Sequence, residues 1–216
     1  MNGVVEKLTP ERRRELTRNA LVEAATDVFA RRGFHAASLE QIAEAAGFTR
    51  GAIYSNFASK EDLLLAVVDR YNDVLVDSFA GVLRDHADEI GGDLSSAASA
   101  ALWTYQANRD PGLMLLGLEL RLYALRNPEF RSRLADLDRR QIERAAQFIA
   151  DEAAAAGLAL AIAPEDLAVL GRAMVDGLLL LAAVDPDGTP RYDALVQRFF
   201  EMAGSLIEPA VTSQPG

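Results

Sequence analysis

Leu21, Ala24, Ala25, Val28 and Phe29 recur at i, i+3, i+4, i+7 and i+8. That is the apolar stripe of an amphipathic helix; a strand would alternate instead. The same period returns in Leu39, Ile42, Ala43 and Ala46, and again in Leu64, Val67, Val68, Tyr71 and Leu75. Alternating runs rich in Val, Ile and Thr do not occur, and alanine and leucine dominate. The expected fold class is therefore all-α, with about nine helices.

Local signals punctuate the helices. Thr9-Pro10 reads as an N-cap followed by proline at the first helical position, and Arg31-Arg32-Gly33 as the stop of the same helix. Ser38-Leu39-Glu40-Gln41 matches a capping box, Gly47 interrupts the helix that follows, and Ser59 caps a fourth helix predicted to reach about Asp88. Beyond "EIGGDLSS" the spacing predicts helices near 93–108, 111–126, 128–156, 164–184 and 190–208. They are separated at Asp110-Pro111, Asn127-Pro128, Gly157, Pro164 and "DPDGTP". The tail "PAVTSQPG" is expected to be disordered.

Composition narrows the function. Cysteine is absent and only His35 and His86 offer imidazole, so no disulfide framework, thiolate chemistry or His/Cys metal site is expected. Nucleotide-binding glycine loops, nucleophile elbows and zinc-protease motifs are missing, so no catalytic residue and no cofactor is assigned. No apolar stretch follows a basic start, and the apolar runs 113–125 and 174–184 fall short of the roughly 18 residues that span a bilayer. A soluble, cytoplasmic protein with no membrane partner is the expectation. The chain carries 22 Lys+Arg against 32 Asp+Glu, yet residues 1–60 hold nine basic and seven acidic side chains. The excess of acid therefore lies entirely in the rest of the chain, as it would if only the N-terminal part met a polyanion.

The stretch "FTRGAIYSNFASKEDLL", from Phe48 to Leu64, explains the asymmetry. Two short helices joined at a glycine, behind a longer one, make a helix-turn-helix, whose second helix enters the major groove. Arg50 suits guanine O6 and N7, while Thr49, Tyr54, Ser55 and Asn56 suit phosphates or bases. Gly51 and Ala52 keep the surface low, and Ile53 and Phe57, four apart, anchor the opposite face. Lys60 and the N-terminus of its helix suit a phosphate, as does the helix start at Ser38. Arg12, Arg13, Arg14 and Arg18 are placed to reach the flanking backbone.

The run "ALVEAATDVFARRGFHAASLEQIAEAAGFTRGAIYSNFASKEDLLLAVV" resembles the DNA-binding domain of the TetR family of transcriptional regulators. Ala24-Ala25, Phe29, Gly33-Phe34, Ser38, Ile42-Ala43, Ala46-Gly47, Arg50-Gly51, Tyr54, Phe57, Lys60-Glu61 and Leu63 stand where that family's pattern expects them. The resemblance implies DNA contacts at Ser38, Thr49, Arg50, Gly51, Ala52, Tyr54, Ser55, Asn56 and Lys60, with Arg50 the main base reader and Tyr54 and Lys60 on phosphates. Asn56 replaces the usual histidine, and Ala52 a frequent threonine or asparagine, which puts those individual contacts in doubt. It further implies a helix-turn-helix domain over 10–60 and an all-helical ligand-binding and dimerisation domain over 61–208, before a tail at 209–216.

By the same resemblance, the last two long helices pair across a homodimer. Their stripes are Leu167, Leu170, Gly171, Met174, Leu178 and Leu181, then Leu195, Phe199, Met202 and Leu206. An effector pocket is sought among Trp103, Tyr105, Met114, Leu118, Tyr123, Phe148 and Met174, with Glu119 and Asp176 as charges inside apolar helices. Those two acids either orient a ligand group, pair with Arg121, Arg126 or Arg172, or face solvent. The reading is a ligand-responsive repressor that leaves a palindromic operator when a small, largely apolar effector binds. The alternatives are an activator or constitutive binder and, from other classes, an enzyme or a protein-interaction module on a helical fold.

Overall fold

The computed structural model describes residues 9–86, 111–155, 157–204 and 207–209. Among them stand eight α-helices. These are α1 (Pro10–Ala36), α2 (Leu39–Ala45), α3 (Arg50–Asn56), α4 (Lys60–His86), α5 (Pro111–Arg126), α6 (Pro128–Ala155), α7 (Pro164–Val184) and α8 (Thr189–Gly204). The helix expected near 93–108 and residues 210–216 of the expected tail lie outside the described residues, whereas Ile207–Pro209, expected as the end of the last helix and the start of the tail, is extended.

The predicted caps form. Thr9 Oγ1 accepts from the Arg12 amide at 3.2 Å. Ser38 and Gln41 make both bonds of a capping box, at 3.1 and 3.2 Å. Ser59 Oγ accepts from the Asp62 amide at 3.1 Å, while Asp62 reaches back to the Ala58 amide at 3.0 Å. The regular part of α1 stops at Gly33, whose φ of 74° and ψ of 166° belong to glycine rather than to a helix. The chain also holds a strand pair that the sequence reading did not expect, β1 (Leu158–Leu160) antiparallel to β2 (Ile207–Pro209). Three residues are too few to show an alternating pattern, so propensity alone gives no sign of it.

The residues fall into two compact units. The first comprises α1–α3, α4 as far as Tyr71, α5, and α6 as far as Leu137. Its core is built on the predicted stripes and anchors: Leu21, Ala25, Phe29, Ile42, Ile53, Leu64 and Val67 are buried, joined by Leu63 beside the α4 stripe and by Leu116, Leu120, Phe130, Leu134 and Leu137 from α5 and α6. Helix α5 lies directly on α1. A Cβ on Gly112 would overlap the Ala30 carbonyl, so only glycine permits this approach.

The second unit comprises α4 from Asn72, α6 from Asp138, α7, α8 and the strand pair. Arg172 donates to Asp138 at 2.9 Å and to Gln141 at 3.1 Å, and Arg144 pairs with Asp73 at 3.0 Å. Asp185 closes the α7–α8 turn by accepting from the Gly188 amide and the Tyr192 hydroxyl, each at 3.2 Å. Val169, Leu170, Leu180, Leu181 and Val184 of α7, with Leu195 and Met202 of α8, are exposed. Because α7 extends well beyond the run 174–184, it is, among the described residues, long and apolar enough to cross a membrane by length and composition.

Gly112→Ala tests the α1–α5 approach. Overpacking of this kind costs about 1–3 kcal/mol, and urea unfolding should show a lowered midpoint with an unchanged slope.

Candidate nucleic-acid interface

Helices α2 and α3 are too short to persist alone and owe their order to packing. Ile53 is fully buried and Phe57 nearly so, and together they fix which face of α3 turns outward. Gly47, at φ 71°, makes the turn, and the Phe48 amide donates to the Ala43 carbonyl at 2.9 Å. Two arginines of α1 secure the far end of α3. Arg14 donates to the Ser55 carbonyl at 3.1 Å and Arg18 to the Asn56 carbonyl at 3.0 Å, with the Arg18 guanidinium 4.2 Å from the Phe57 ring centroid. Cations at a helix C-terminus also oppose its partial negative charge. Arg12, another of the α1 arginines expected to reach the DNA backbone, pairs with Glu15 at 2.7 Å.

The outward face carries Thr49, Arg50, Gly51, Tyr54 and Ser55, all exposed. Ala52 is half-buried beneath them. Thr49 occupies the N-cap position of α3 without a side-chain cap bond. Arg50 donates to the Tyr54 hydroxyl at 2.9 Å and pairs with Glu40 of α2 at 2.5 Å. The Tyr54 hydroxyl, followed by the Glu40 charge, holds the Arg50 guanidinium above its ordinary pKa. Glu40 is held below the carboxylate range, first by a backbone hydrogen bond at the start of α2, then by Arg50 and the Ser38 hydroxyl. Ser55 Oγ donates to the Ala52 carbonyl at 2.9 Å. Asn56 turns inward: its Nδ2 donates to the same carbonyl at 2.8 Å and its buried Oδ1 has no hydrogen-bond partner among the described residues.

Lys60 and Ser38 flank this face. Lys60 Nζ stands 4.6 Å from the Phe34 ring centroid and 3.4 Å from the His35 carbonyl, and partial burial lowers its pKa. Sequence reasoning missed Glu40, although an acid in the first turn of α2 is visible there. Nothing in the sequence pairs it with a residue ten positions later across a turn.

The residues sought for an effector pocket are distributed between the two units. In the first, Met114 and Leu118 are half-buried on α5. Glu119 accepts from the Phe34 amide at 2.7 Å and sits against Gly33, where a Cβ would stand 2.7 Å from its Oε1. Tyr123 donates to Glu61 at 3.2 Å, with its ring 5.3 Å from Phe34 and 5.0 Å from Phe130. Burial, then the Glu61 charge, raises the Tyr123 pKa. In the second unit, Phe148 and Met174 are half-buried, and Asp176 lies 3.7 Å from Arg172 Nε. Gln141, not singled out from sequence, is only 5% exposed, and its Nε2 has no hydrogen-bond partner among the described residues. Trp103 and Tyr105 lie outside the described residues.

Of the residues expected at a dimer interface, Leu170, Leu181, Leu195 and Met202 are exposed. Leu167, Gly171, Met174, Leu178 and Phe199 are half-buried, and Leu206 lies outside the described residues. The stripe extends further than expected, to Val184 at 79% exposure.

Residues 21–67, which span this face, match the family described as bacterial regulatory proteins, tetR family. Residues 92–204 match the C-terminal domain of BetI-type transcriptional repressors, and this second match alone exceeds half of the chain. The chain belongs to the TetR family of transcriptional regulators. This TetR-family chain is 41% identical over 75 residues to the transcriptional activator FasR of Mycolicibacterium smegmatis, which covers 35% of this chain and 34% of FasR. It is 47% identical over 53 residues to the regulator TtgR of Pseudomonas putida, covering 24% and 25%. The matched segments thus span about a third or less of those relatives.

Among solved structures, a TetR-family regulator from Mesorhizobium loti superposes with a TM-score of 0.65 at 19% identity, covering 91% of this chain and 98% of that one. The regulator FadR from Bacillus subtilis, in complex with stearoyl-CoA, superposes with a TM-score of 0.58 at 19% identity, covering 87% and 97%. At such identities they establish the shared fold of helix-turn-helix and helical C-terminal part. The family is one of transcriptional regulators, not of enzymes.

Glu119→Ala leaves the Phe34 amide without its carboxylate. A charge-assisted bond of this kind is worth about 1.5–3 kcal/mol when buried, and less at this half-buried site. Thermal unfolding should begin earlier, and Glu119→Gln, which keeps an acceptor, should recover part of the loss.

Proposed function

We propose that this regulator is a homodimeric, ligand-responsive repressor. It reads a palindromic operator with α3 and releases it when a small, largely apolar effector binds the helical domain. The observation that carries the reading is the outward face of α3, where Arg50 and Tyr54 project from a helix anchored by Ile53 and Phe57. In this reading residues 10–60 hold the DNA through Ser38, Thr49, Arg50, Gly51, Ala52, Tyr54, Ser55, Asn56 and Lys60, with Arg50 on base edges. Residues 61–208 bind effector and dimerise, and the protein works in the cytoplasm, where its DNA lies.

The exposed apolar faces of α7 and α8 support self-association. They suit another protein helix better than lipid, because Arg172 in mid-α7 is tied to Asp138 and Gln141 of its own unit. A two-fold dimer also matches a palindrome. Repression is supported by the match to BetI-type repressors. A response to ligand is supported by the complex of the Bacillus subtilis FadR with stearoyl-CoA. Gln141 Nε2 is a buried donor suited to an acceptor on the effector. Helices α4 and α6 run from one unit into the other. They would carry a coupling of the usual allosteric size, about 1–3 kcal/mol. An activator is the second reading, favoured by the similarity of the reading head to that of FasR.

Fluorescence anisotropy on duplexes selected from random DNA tests the proposal. Binding should weaken steeply with salt, and Arg50→Ala should cost about 1–3 kcal/mol. A duplex with both half-sites should bind far more tightly than one with a single half-site. Equal binding to selected and random duplexes would contradict it.

A further inference from the structure

We infer that Glu40 is a specificity-determining residue, which makes Arg50 and Glu40 together a reader of a G·C base pair. The inference rests on the proposed reading head and deepens it.

Arg50 is not a free cation at a DNA-facing surface. Its guanidinium is shared between the Glu40 carboxylate at 2.5 Å through Nη1 and the Tyr54 hydroxyl at 2.9 Å through Nη2. All three side chains remain open to a ligand: Arg50 and Glu40 are 58% and 53% exposed, and Tyr54 is 50% exposed. Glu40 also has a fixed seat in the first turn of α2, beside the Ser38 capping box, where a helix N-terminus favours a carboxylate. The pair joins the two helices of the motif across the turn, on the side that Arg50 presents.

This arrangement changes what Arg50 gains from each partner. A phosphate offers the guanidinium only an exchange of one anion for another, and it repels the Glu40 carboxylate that is displaced. The edge of a guanine accepts two parallel hydrogen bonds from the guanidinium at O6 and N7. The cytosine paired with that guanine presents its N4 amine in the same groove, and an amine is the base-edge donor a carboxylate accepts from. A G·C pair therefore satisfies both members of the ion pair when it separates them. An A·T pair offers Arg50 no second acceptor beside N7, and the thymine O4 faces the carboxylate with a lone pair. Glu40 thus acts mainly against the wrong partners: it weakens phosphate and A·T contacts more than it helps the right one.

The test uses the full-length protein and duplexes selected from random DNA, with each base pair of the selected half-site then replaced in turn. Wild type should require G·C at one position, and Arg50→Ala should lose that requirement. Glu40→Ala should retain binding to the selected duplex, bind random duplex about two- to fivefold more tightly, as expected for release of an exposed ion pair, and discriminate against A·T at that position about five- to tenfold less. Glu40→Gln, which keeps an acceptor without the charge, should recover part of the discrimination. Unchanged melting temperatures of both variants show that the fold is intact. If Arg50→Ala loses the G·C requirement while Glu40→Ala keeps it in full, Glu40 is only a surface ion-pair partner and the inference is overturned. If wild type selects no sequence at all, the reading head itself is refuted, and the inference falls with it.

Discussion

The turn at Gly33–Phe34 is the constraint on which the rest of the first unit depends. Gly33 leaves helical geometry at φ 74°, a conformation that costs an L side chain strain. The Glu119 carboxylate then fills the space a side chain would need and takes the Phe34 amide at 2.7 Å. Phe34 packs edge-on against Tyr123, and Lys60 Nζ lies over the Phe34 ring, 4.6 Å from its centroid. One turn thereby ends α1, positions the start of α2 through the Ala37–Gly33 bond, and docks α5. A shift of α5 along α1 is resisted at a second point, where Gly112 meets the Ala30 backbone.

Within that frame the proposed reading face is a matter of what is anchored and what is left outside. Ile53 and Phe57 tie α3 to the core, and Arg14 and Arg18 occupy its last carbonyls. Two arginines that read from sequence as backbone contacts are thus employed in holding the helix. The side chains left outward are small or hydrogen-bonding, and the one guanidinium among them is held by a carboxylate and a phenol. An acidic protein can approach DNA this way because local arrangement, not net charge, decides which contacts form.

Much of this was legible in the sequence, and the limits have physical causes. Caps and breakers act within four residues, so Thr9, Ser38, Gly47 and Ser59 announced their turns, and α5 and α7 begin and end where the pattern puts them. An apolar stripe, by contrast, states that a face is buried, not against what: Leu64 and Leu181 read alike, yet one is fully buried and the other half exposed. Charges inside apolar helices were equally ambiguous. Glu119 finds its partner 85 residues away at Phe34, and Arg172 finds Asp138 34 residues away. Such pairings depend on tertiary packing, which no local spacing encodes. The three-residue strands were invisible for the opposite reason, being too short to carry a pattern.

Hydrogen exchange of backbone amides, followed with and without a selected duplex, tests the central claim most directly. The account predicts slowed exchange in peptides covering residues 38–60, strongest at the start of α3, with peptides of α7 and α8 little changed. Protection confined to residues 164–204, or no protection under conditions where the duplex is bound, would contradict it.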